Sequence, residues 1–203
     1  MTKKLQKLTL QARIGESTDI QIRVETGEVE FALISSISRS APARVVTQAA
    51  HGLLDGWRAS VIDAKGMVAI NDVRPTSVSV VDTTTIDLDG VSTLGMSAHT
   101  ADSGALKWYA PKDLSGYTGA RMDIKRAVGA TAVLSLHTDD GTLEIDAAAS
   151  SVWVRLPATA LSDALVPARD YYFDIELIRP DGVDAICAAT STVTVLPEIT
   201  TST

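Results

Sequence analysis

The sequence predicts an all-β protein, and three observations support this fold class. Val, Ile and Thr are abundant, and these β-branched residues favour the pleated, half-buried surface of a strand. They occur in short runs that alternate apolar and polar residues, which predicts strands with one buried face. Turn dipeptides such as Asp-Gly separate the runs, so we expect about a dozen short strands joined by turns and loops.

Composition narrows the possible functions. The chain has 203 residues, of which 45% are apolar, enough for the core of one large or two small domains. Its 18 basic and 25 acidic residues give a net charge of -7, which disfavours nonspecific binding to nucleic acid or to an anionic membrane. No apolar run approaches the roughly 18 residues of a membrane span, and we expect no signal peptide. The single cysteine excludes an internal disulfide.

The first predicted hairpin lies near the N-terminus. The runs Ile20–Val24 and Val29–Leu33 alternate apolar and polar residues, and Thr26-Gly27 between them predicts a turn. We therefore expect the second strand to bury the side chains of Val29, Phe31 and Leu33.

The same pattern recurs further along the chain. Each of two turn segments is flanked by two strand-like runs: Val78–Val80 and Thr84–Leu88 flank Asp82-Thr83, and Val133–Leu136 and Leu143–Ile145 flank Thr138–Gly141. Near the C-terminus, Pro180-Asp181-Gly182 predicts a hairpin that leads into a last strand, Val183–Val195. The strand before this turn is expected to bury Tyr171, Phe173, Ile175 and Leu177.

One segment, Pro157–Leu165, predicts a helix of about two turns. Thr159 is its expected N-cap, and Leu161 and Leu165 lie four residues apart on one face. Pro167 is expected to end it. A short helix of this kind can cover one end of a β-sandwich.

Uneven charge and aromatic content predict two β units. Residues 34–107 carry 6 basic and 7 acidic residues, whereas residues 108–203 carry 7 basic and 13 acidic ones. Trp57 is the one aromatic residue between Phe31 and Trp108. The segment 96–105 is small and polar, which is typical of a linker or an exposed loop, so we expect a boundary near residue 105.

Motifs in the outer parts of the chain resemble a known domain. Asp-Leu-Ser-Gly-Tyr-Thr-Gly begins at Asp113, Tyr-Phe-Asp-Ile-Glu-Leu-Ile-Arg-Pro-Asp-Gly begins at Tyr172, and Val-Thr-Val-Leu-Pro-Glu-Ile-Thr begins at Val193. Together with Leu8–Glu25, these segments resemble the N-terminal β-sandwich of baseplate upper proteins from tailed bacteriophages. The resemblance implies an antiparallel, Ig-like sandwich.

The middle of the chain is similar to a small β-barrel module of phage tail proteins. The similarity is carried by His51-Gly52-Leu53, by Asp55-Gly56-Trp57 and by the run from Val78 to Gly90. The segment also resembles a half-domain of ubiquitin-activating enzymes, without their catalytic cysteine. We therefore expect a discontinuous sandwich, residues 1–33 and 108–203, with a barrel inserted at residues 34–107.

The candidate chemical groups favour structural roles. The histidines, at positions 51, 99 and 137, have no metal-ligand spacing, and His51 is expected to bond nearby backbone before Gly52. The acids at Asp139-Asp140 and at Asp87 and Asp89 lack a calcium-loop pattern and are expected in turns. Cys187 is expected to be a small buried hydrophobe. The basic cluster Arg121, Lys125 and Arg126 is expected to form a solvated strand face or a subunit contact.

Aromatic residues supply the candidate interface. Trp108, Tyr109, Tyr172 and Trp57 are the side chains that we expect to contribute to a contact with another subunit. In the alternative of a carbohydrate-binding module, exposed rings such as those of Trp57 and Trp108 would stack on sugars.

The resemblance implies a non-enzymatic structural subunit of a tailed-phage virion, located in the tail, baseplate or collar. It would be assembled in the host bacterial cytoplasm and act as an assembly adaptor or fibre-anchoring module. Its partners would be other virion subunits, copies of itself and, as one option, a tail fibre. We expect no catalytic residues, cofactor, metal, nucleic acid or membrane partner. The alternatives are a carbohydrate-binding adhesin module that recognises host glycans and a capsid decoration protein.

Overall fold

The computed structural model describes residues 7–165, 169–185 and 191–197. It divides the chain into two compact units, residues 1–24 with 112–203 and residues 25–111. The elements, in chain order, are β1 (Thr9–Arg13), β2 (Thr18–Arg23), β3 (Glu25–Ile37), β4 (Ala43–Thr47), β5 (Arg58–Ile62), a 3-10 turn (Val68–Asp72), β6 (Thr76–Val80), β7 (Thr85–Leu88), β8 (Ala105–Pro111), β9 (Gly119–Lys125), β10 (Ala132–His137), β11 (Leu143–Asp146), β12 (Ser151–Leu156), α1 (Ala158–Ala164), β13 (Arg169–Arg179), β14 (Gly182–Ala185) and β15 (Ser191–Leu196).

The discontinuous unit is a β-sandwich. One sheet has the order β1-β15-β13-β9-β10, with β14 also paired to β13, and the second has the order β11-β12-β2. Residues from both sheets share one core, which includes Met122, Val154, Phe173 and Val193. Tyr171, Phe173, Ile175 and Leu177 are all buried, as their alternation predicts.

The short helix covers part of this core, but its N-cap differs from the expected one. α1 begins at Ala158 with Pro157 in the cap position, and no side chain caps it. Thr159 therefore lies within the first turn, because the chain already turns into the helix directly after Pro157. Leu161 and Leu165 are buried, as predicted. Pro167 lies outside the described residues.

The unit formed by residues 25–111 is a closed six-stranded barrel with the strand order β3-β4-β7-β6-β5-β8. Its core is separate from that of the sandwich and contains Ile34, Trp57, Met67, Ile86 and Leu106. All five side chains are almost fully inaccessible to solvent. The sequence therefore predicts the fold class correctly: the protein is all-β, with a barrel and one short helix. One pairing differs from the expected antiparallel sandwich, because β1 pairs with β15 in parallel.

The barrel begins earlier and ends later along the chain than the boundaries at 33/34 and 107/108 suggest. Residues 25–33 belong to β3, and they pair with β8 along Glu25–Leu33 and Ala105–Pro111. The predicted hairpin around Thr26-Gly27 is wrong, because β2 pairs with β12 of the sandwich instead. Gly27, with a φ of 85°, lies at a shift in the β3–β8 register, so it forms a bulge rather than a turn.

Two of the other predicted turns form hairpins, and one does not. β6 pairs with β7 across Asp82-Thr83, and β13 pairs with β14 across Pro180-Asp181. Thr138–Gly141 instead joins β10, which pairs with β9, to β11, which pairs with β12 in the opposite sheet. A turn sequence sets a local reversal, but the strand beside it is selected by core packing.

The segment 96–105 is not a linker. Thr100 donates its N–H to the Lys65 carbonyl at 2.9 Å, and Asp102 donates to the Ser35 carbonyl at 2.9 Å. A Cβ atom on Gly104 would lie 2.8 Å from the backbone of Ala64, so only glycine permits this approach. The segment is small and polar because it lies close against other barrel backbone.

We expect Gly104→Ala to destabilise the barrel strongly. The substitution combines a φ of 77°, which an L side chain adopts only with strain, with an overlap against backbone that cannot move alone. The expected loss in the free energy of unfolding is about 3 kcal/mol. Urea unfolding followed by the fluorescence of the buried Trp57 and Trp108 measures it.

Gly90→Ala is the matched control. Gly90 has a φ of 71°, but an added Cβ would meet nothing within 4 Å. We expect this variant to lose about 1–2 kcal/mol, the strain contribution alone. Equal losses for the two variants would contradict the close packing assigned to Gly104.

Candidate functional site

An apolar strip lies on the outer surface of the barrel. We define the apolar strip as Val29, Phe31 and Leu33 of β3 with Tyr109 of β8. Their exposed fractions are 39%, 57%, 62% and 49%. Val29 pairs directly with Tyr109 across the two strands, and directly paired residues project from the same face. Such a cluster of exposed large apolar side chains is typical of a protein contact surface.

The strip faces outward because the inward positions are already filled. Glu30 and Ala32 pair with Trp108 and Leu106, and these two β8 residues belong to the barrel core. Val29, Phe31 and Leu33 alternate with Glu30 and Ala32, so they project away from that core. The expectation that Val29, Phe31 and Leu33 form the buried face of their strand is therefore wrong.

The adjacent pair Leu33-Ile34 is a sequence signal for which face of β3 points into the barrel. Two adjacent large apolar residues in a strand project to opposite faces, so only one of them can enter the barrel core. Ile34 is fully buried and Ile37 is nearly so. The phase of β3 is therefore set by Ile34, and the alternating run before it is left on the outside.

Two of the four predicted interface residues are core residues. Trp57 is 1% exposed and Trp108 is 4% exposed, so neither presents an open ring to a partner or a sugar. Tyr109 lies in the apolar strip. Tyr172 is half-buried on β13 of the other unit, where it pairs with Lys125 and Thr192.

Trp57 has a structural task at the edge of β8. β5 pairs with β8 only as far as Lys107, so the Tyr109 carbonyl has no strand partner on that side. The Trp57 Nε1–H donates a hydrogen bond to this carbonyl at 2.8 Å. The Trp57 indole thus replaces the strand-to-strand hydrogen bond that the Tyr109 carbonyl lacks, and it fixes the β8 backbone at Tyr109 of the apolar strip.

β3 has an open edge beside the apolar strip. β4 pairs with β3 only at Ile34–Ile37, and the last contact on this side is the Gln48 N–H to the Leu33 carbonyl at 2.8 Å. Ile34 donates its N–H to the Gly104 carbonyl on the β8 side. Because the backbone groups of successive residues point to opposite edges, those of Val29 and Phe31 point away from β8. No described strand pairs with them there.

Two carboxylates lie along this open edge. Glu28 and Glu30 are exposed, and no ion pair joins either to another described residue. They alternate with Val29 and Phe31, so they project to the opposite face of the strand. The edge therefore offers backbone donors and acceptors, an apolar face and an acidic face.

His51 has the structural role that its sequence context predicts. It is buried, its Nδ1 accepts the Leu53 N–H at 3.0 Å, and its Nε2 lies 3.0 Å from the Asp82 carbonyl. Since Nδ1 accepts and a carbonyl cannot donate, the ring proton is on Nε2. Gly52 follows with a φ of 67°, which completes the turn.

The fold brings together one serine and one histidine that the sequence did not suggest as a pair. Ser103 Oγ lies 3.2 Å from His99 Nε2. However, Ser103 Oγ donates to the Thr100 carbonyl at 2.6 Å, and His99 Nε2 lies 3.0 Å from the Ser103 carbonyl. A nucleophile needs its proton directed at a base, whereas here both groups bond to backbone carbonyls. The pair orders the 96–105 segment.

Asp140 lies in a turn as expected, whereas Asp87 lies within β7 and not in a turn, and side-chain hydrogen bonds hold both acids. The Arg44 guanidinium bonds both oxygens of Asp87, at 2.8 and 2.9 Å, and this hydrogen bonding lowers the pKa of that carboxyl. The hydrogen bond from the Thr142 hydroxyl lowers the pKa of Asp140. Among the described residues, no group of three or more acids, histidines or cysteines is arranged to hold a metal ion.

The basic cluster forms a solvated face on the sandwich. Arg121 pairs with Glu176 at 2.5 Å, and Lys125 lies 3.4 Å from Asp123 and 3.7 Å from Asp174. These partners lie on β9 and β13, so the cluster links neighbouring strands across their exposed side. Cys187 lies outside the described residues.

The sandwich has a shallow cleft of about 300 Å³, and the charge of the arginine that lines it is already paired with carboxylates. Arg155, which lines it, pairs with Asp19 at 3.4 Å and with Glu144. Hydrogen bonding to Glu144 is the main reason that the pKa of Arg155 is raised. Among the surfaces that the structure describes, we therefore take the apolar strip and its open edge as the candidate site.

Comparison with protein-family models and with curated proteins finds no match to this chain. Across the part of the chain that the structure describes, no helix has both the length and the apolar character needed to cross a membrane.

We expect NMR to find the His51 ring protonated on Nε2 and unprotonated on Nδ1. Long-range ¹H–¹⁵N correlation spectra distinguish the two nitrogens. His51→Ala should lower the free energy of unfolding by about 2–3 kcal/mol, because it leaves the Leu53 N–H and the Asp82 carbonyl without their partner. A proton on Nδ1 would contradict the assigned bond from Leu53.

We expect Arg44→Gln to raise the pKa of Asp87 towards the ordinary aspartate value, since the variant loses the charged bidentate donor. Carboxyl ¹³C titration by NMR measures this change. A lowered pKa adds stability that is present above the ordinary value and is lost as pH falls through the folded-state value. The stability difference between wild type and variant should therefore shrink on acidification.

Asp140 serves as the internal reference for this titration. Its pKa is lowered mainly by the Thr142 hydroxyl, which the Arg44 substitution does not touch. Its titration curve should therefore be the same in both proteins. A shift of equal size at Asp140 would mean that the variant acts through a general change in structure.

Proposed function

We propose that the protein is a non-enzymatic structural subunit of a tailed-phage virion, in the tail, baseplate or collar. In this role it acts as an assembly adaptor or fibre-anchoring module whose partners are other virion subunits. The apolar strip on the barrel is the observation that carries the proposal. Its side chains are exposed and are not part of the barrel core.

The resemblance to phage tail proteins supports the same function. The segment from Asp113 leads into β9, the segment from Tyr172 runs through β13 and its hairpin, and the segment from Val193 begins on β15. These three strands are neighbours in the larger sheet of the sandwich. The quoted motifs thus form one continuous part of the fold rather than scattered matches.

The barrel suits an adaptor because its binding surface is rigid. Phe31 and Leu33 project from a strand that is paired along β8, and their backbone is fixed by the core residues Ile34 and Leu106. A contact made by such side chains costs little conformational entropy on binding. Exposed apolar side chains on a rigid sheet therefore favour a stable subunit contact over a transient one.

The test is incorporation into particles. We expect the wild-type chain to copurify with intact virions released from cells in which the phage carrying its gene replicates. The double variant Phe31→Ser with Leu33→Ser should lower the amount of chain per particle at least about tenfold, since it removes two exposed apolar side chains that the proposed subunit contact would bury. Quantitative mass spectrometry of gradient-purified particles measures the ratio.

Leu94→Ser with Val68→Ser is the matched control. Both residues are exposed apolar side chains of the same barrel, but neither belongs to the apolar strip. This control should leave incorporation unchanged. The proposed function is wrong if wild-type chain is recovered only as free protein and never with particles.

A further inference from the structure

We propose that the open edge of β3 receives an extended segment of a partner protein in which apolar and basic residues alternate. The segment adds a strand beside Val29–Phe31, with its apolar residues beside the apolar strip and its basic residues beside Glu28 and Glu30. This inference names the kind of partner for the surface described above, and in that sense it rests on the proposed function.

Backbone geometry requires a strand as the occupant. The N–H and C=O groups of Val29 and Phe31 point out of the β3 edge, and β4 does not pair with β3 beside these two residues. Groups spaced two residues apart along an edge match the donors and acceptors of another extended chain. A helix or a folded surface does not present backbone groups at this spacing.

Side-chain alternation defines the composition of that strand. On the open edge, a residue paired directly with Phe31 projects beside Phe31 and diagonally beside Val29 and Leu33 of the same strand, so an apolar side chain is favoured there. The residue opposite Glu30 projects to the other face, where Glu28 and Glu30 form no ion pair with another described residue. Opposite charges facing each other across strands stabilise the pair, so Lys or Arg is favoured at that position.

A second copy of this chain fits the edge poorly. The Leu33 carbonyl is already bonded to Gln48, whereas no other described residue forms a backbone hydrogen bond with Val29 or Phe31 on this edge. An antiparallel two-fold register that pairs Val29 of one copy with Phe31 of the other places Glu30 opposite Glu30. Like charges directly opposite one another destabilise a strand pair, and each copy carries a net charge of -7.

Binding of a designed probe peptide to the full chain tests the proposal. The probe is an acetylated, amidated and fluorescently labelled peptide that alternates three Val with three Lys residues. We expect saturable binding by fluorescence anisotropy. In the proposed register the Val amides point to β3 and the Lys amides point to solvent. Methylating the Val amide nitrogens should weaken binding at least about tenfold, whereas methylating the Lys amide nitrogens should change it little.

Charge variants of the protein test the acidic face. Glu28→Gln with Glu30→Gln should weaken binding of the probe about tenfold at low salt. The control Asp63→Asn with Asp72→Asn makes the same change in net charge at two exposed acids of the barrel that lie outside β3 and β8. It should leave binding nearly unchanged. A probe with Glu in place of Lys should bind the wild-type chain at least tenfold more weakly than the Lys probe.

Several results would overturn the proposal. It is overturned if the Lys probe does not bind, if both methylated probes bind equally, or if the two charge variants weaken binding alike. Concentration-dependent dimerisation of the chain that Phe31→Pro abolishes would assign the edge to a second copy instead. Loss of particle incorporation in the Phe31→Ser, Leu33→Ser variant, without binding of the probe, would leave the proposed function standing and remove this inference alone.

Discussion

The pairing of β3 with β8 is the interaction on which the rest of this structure depends. The two strands pair from Glu25 and Pro111 to Leu33 and Ala105, with a bulge at Gly27. Their ends at Glu25 and Pro111 are the points where the chain enters and leaves the barrel. A barrel inserted into another domain needs its first and last strands to be neighbours, and this antiparallel ladder satisfies that need. The same ladder closes the ring of six strands.

This pairing also explains where the binding capacity lies. β3 and β8 extend beyond their other neighbours, because β4 leaves at Thr47 and β5 pairs with β8 only as far as Lys107. On the β8 side, the Trp57 indole satisfies the Tyr109 carbonyl. On the β3 side, no described group does the same for Val29 and Phe31. The asymmetry leaves one edge protected and the other available, which is how a closed barrel keeps a site for an added strand.

Much of the local structure could be predicted from the sequence. The buried alternation at Tyr171–Leu177, the hairpin at Pro180-Asp181 and the turn histidine at position 51 follow from side-chain period and turn chemistry, and the structure confirms all three. The candidate site could be predicted only in part. Among the four residues predicted for an interface, Tyr109 is exposed, Tyr172 is half-buried, and Trp57 and Trp108 are buried. Phe31 and Leu33 are exposed, although the alternation predicts that they are buried. An alternating run shows that a strand has one apolar face, but it does not show whether that face points inward.

The sequence by itself therefore determined the fold class, the existence of most strands and most of the local turns, because these depend on residues close together along the chain. Only the tertiary structure decided the partners of each strand, the boundaries of the barrel at residues 25 and 111, and the outward face of β3. These features depend on competition for one core. Ile34, Trp108 and Leu106 fill the barrel interior, so the apolar run Val29–Leu33 lies outside it.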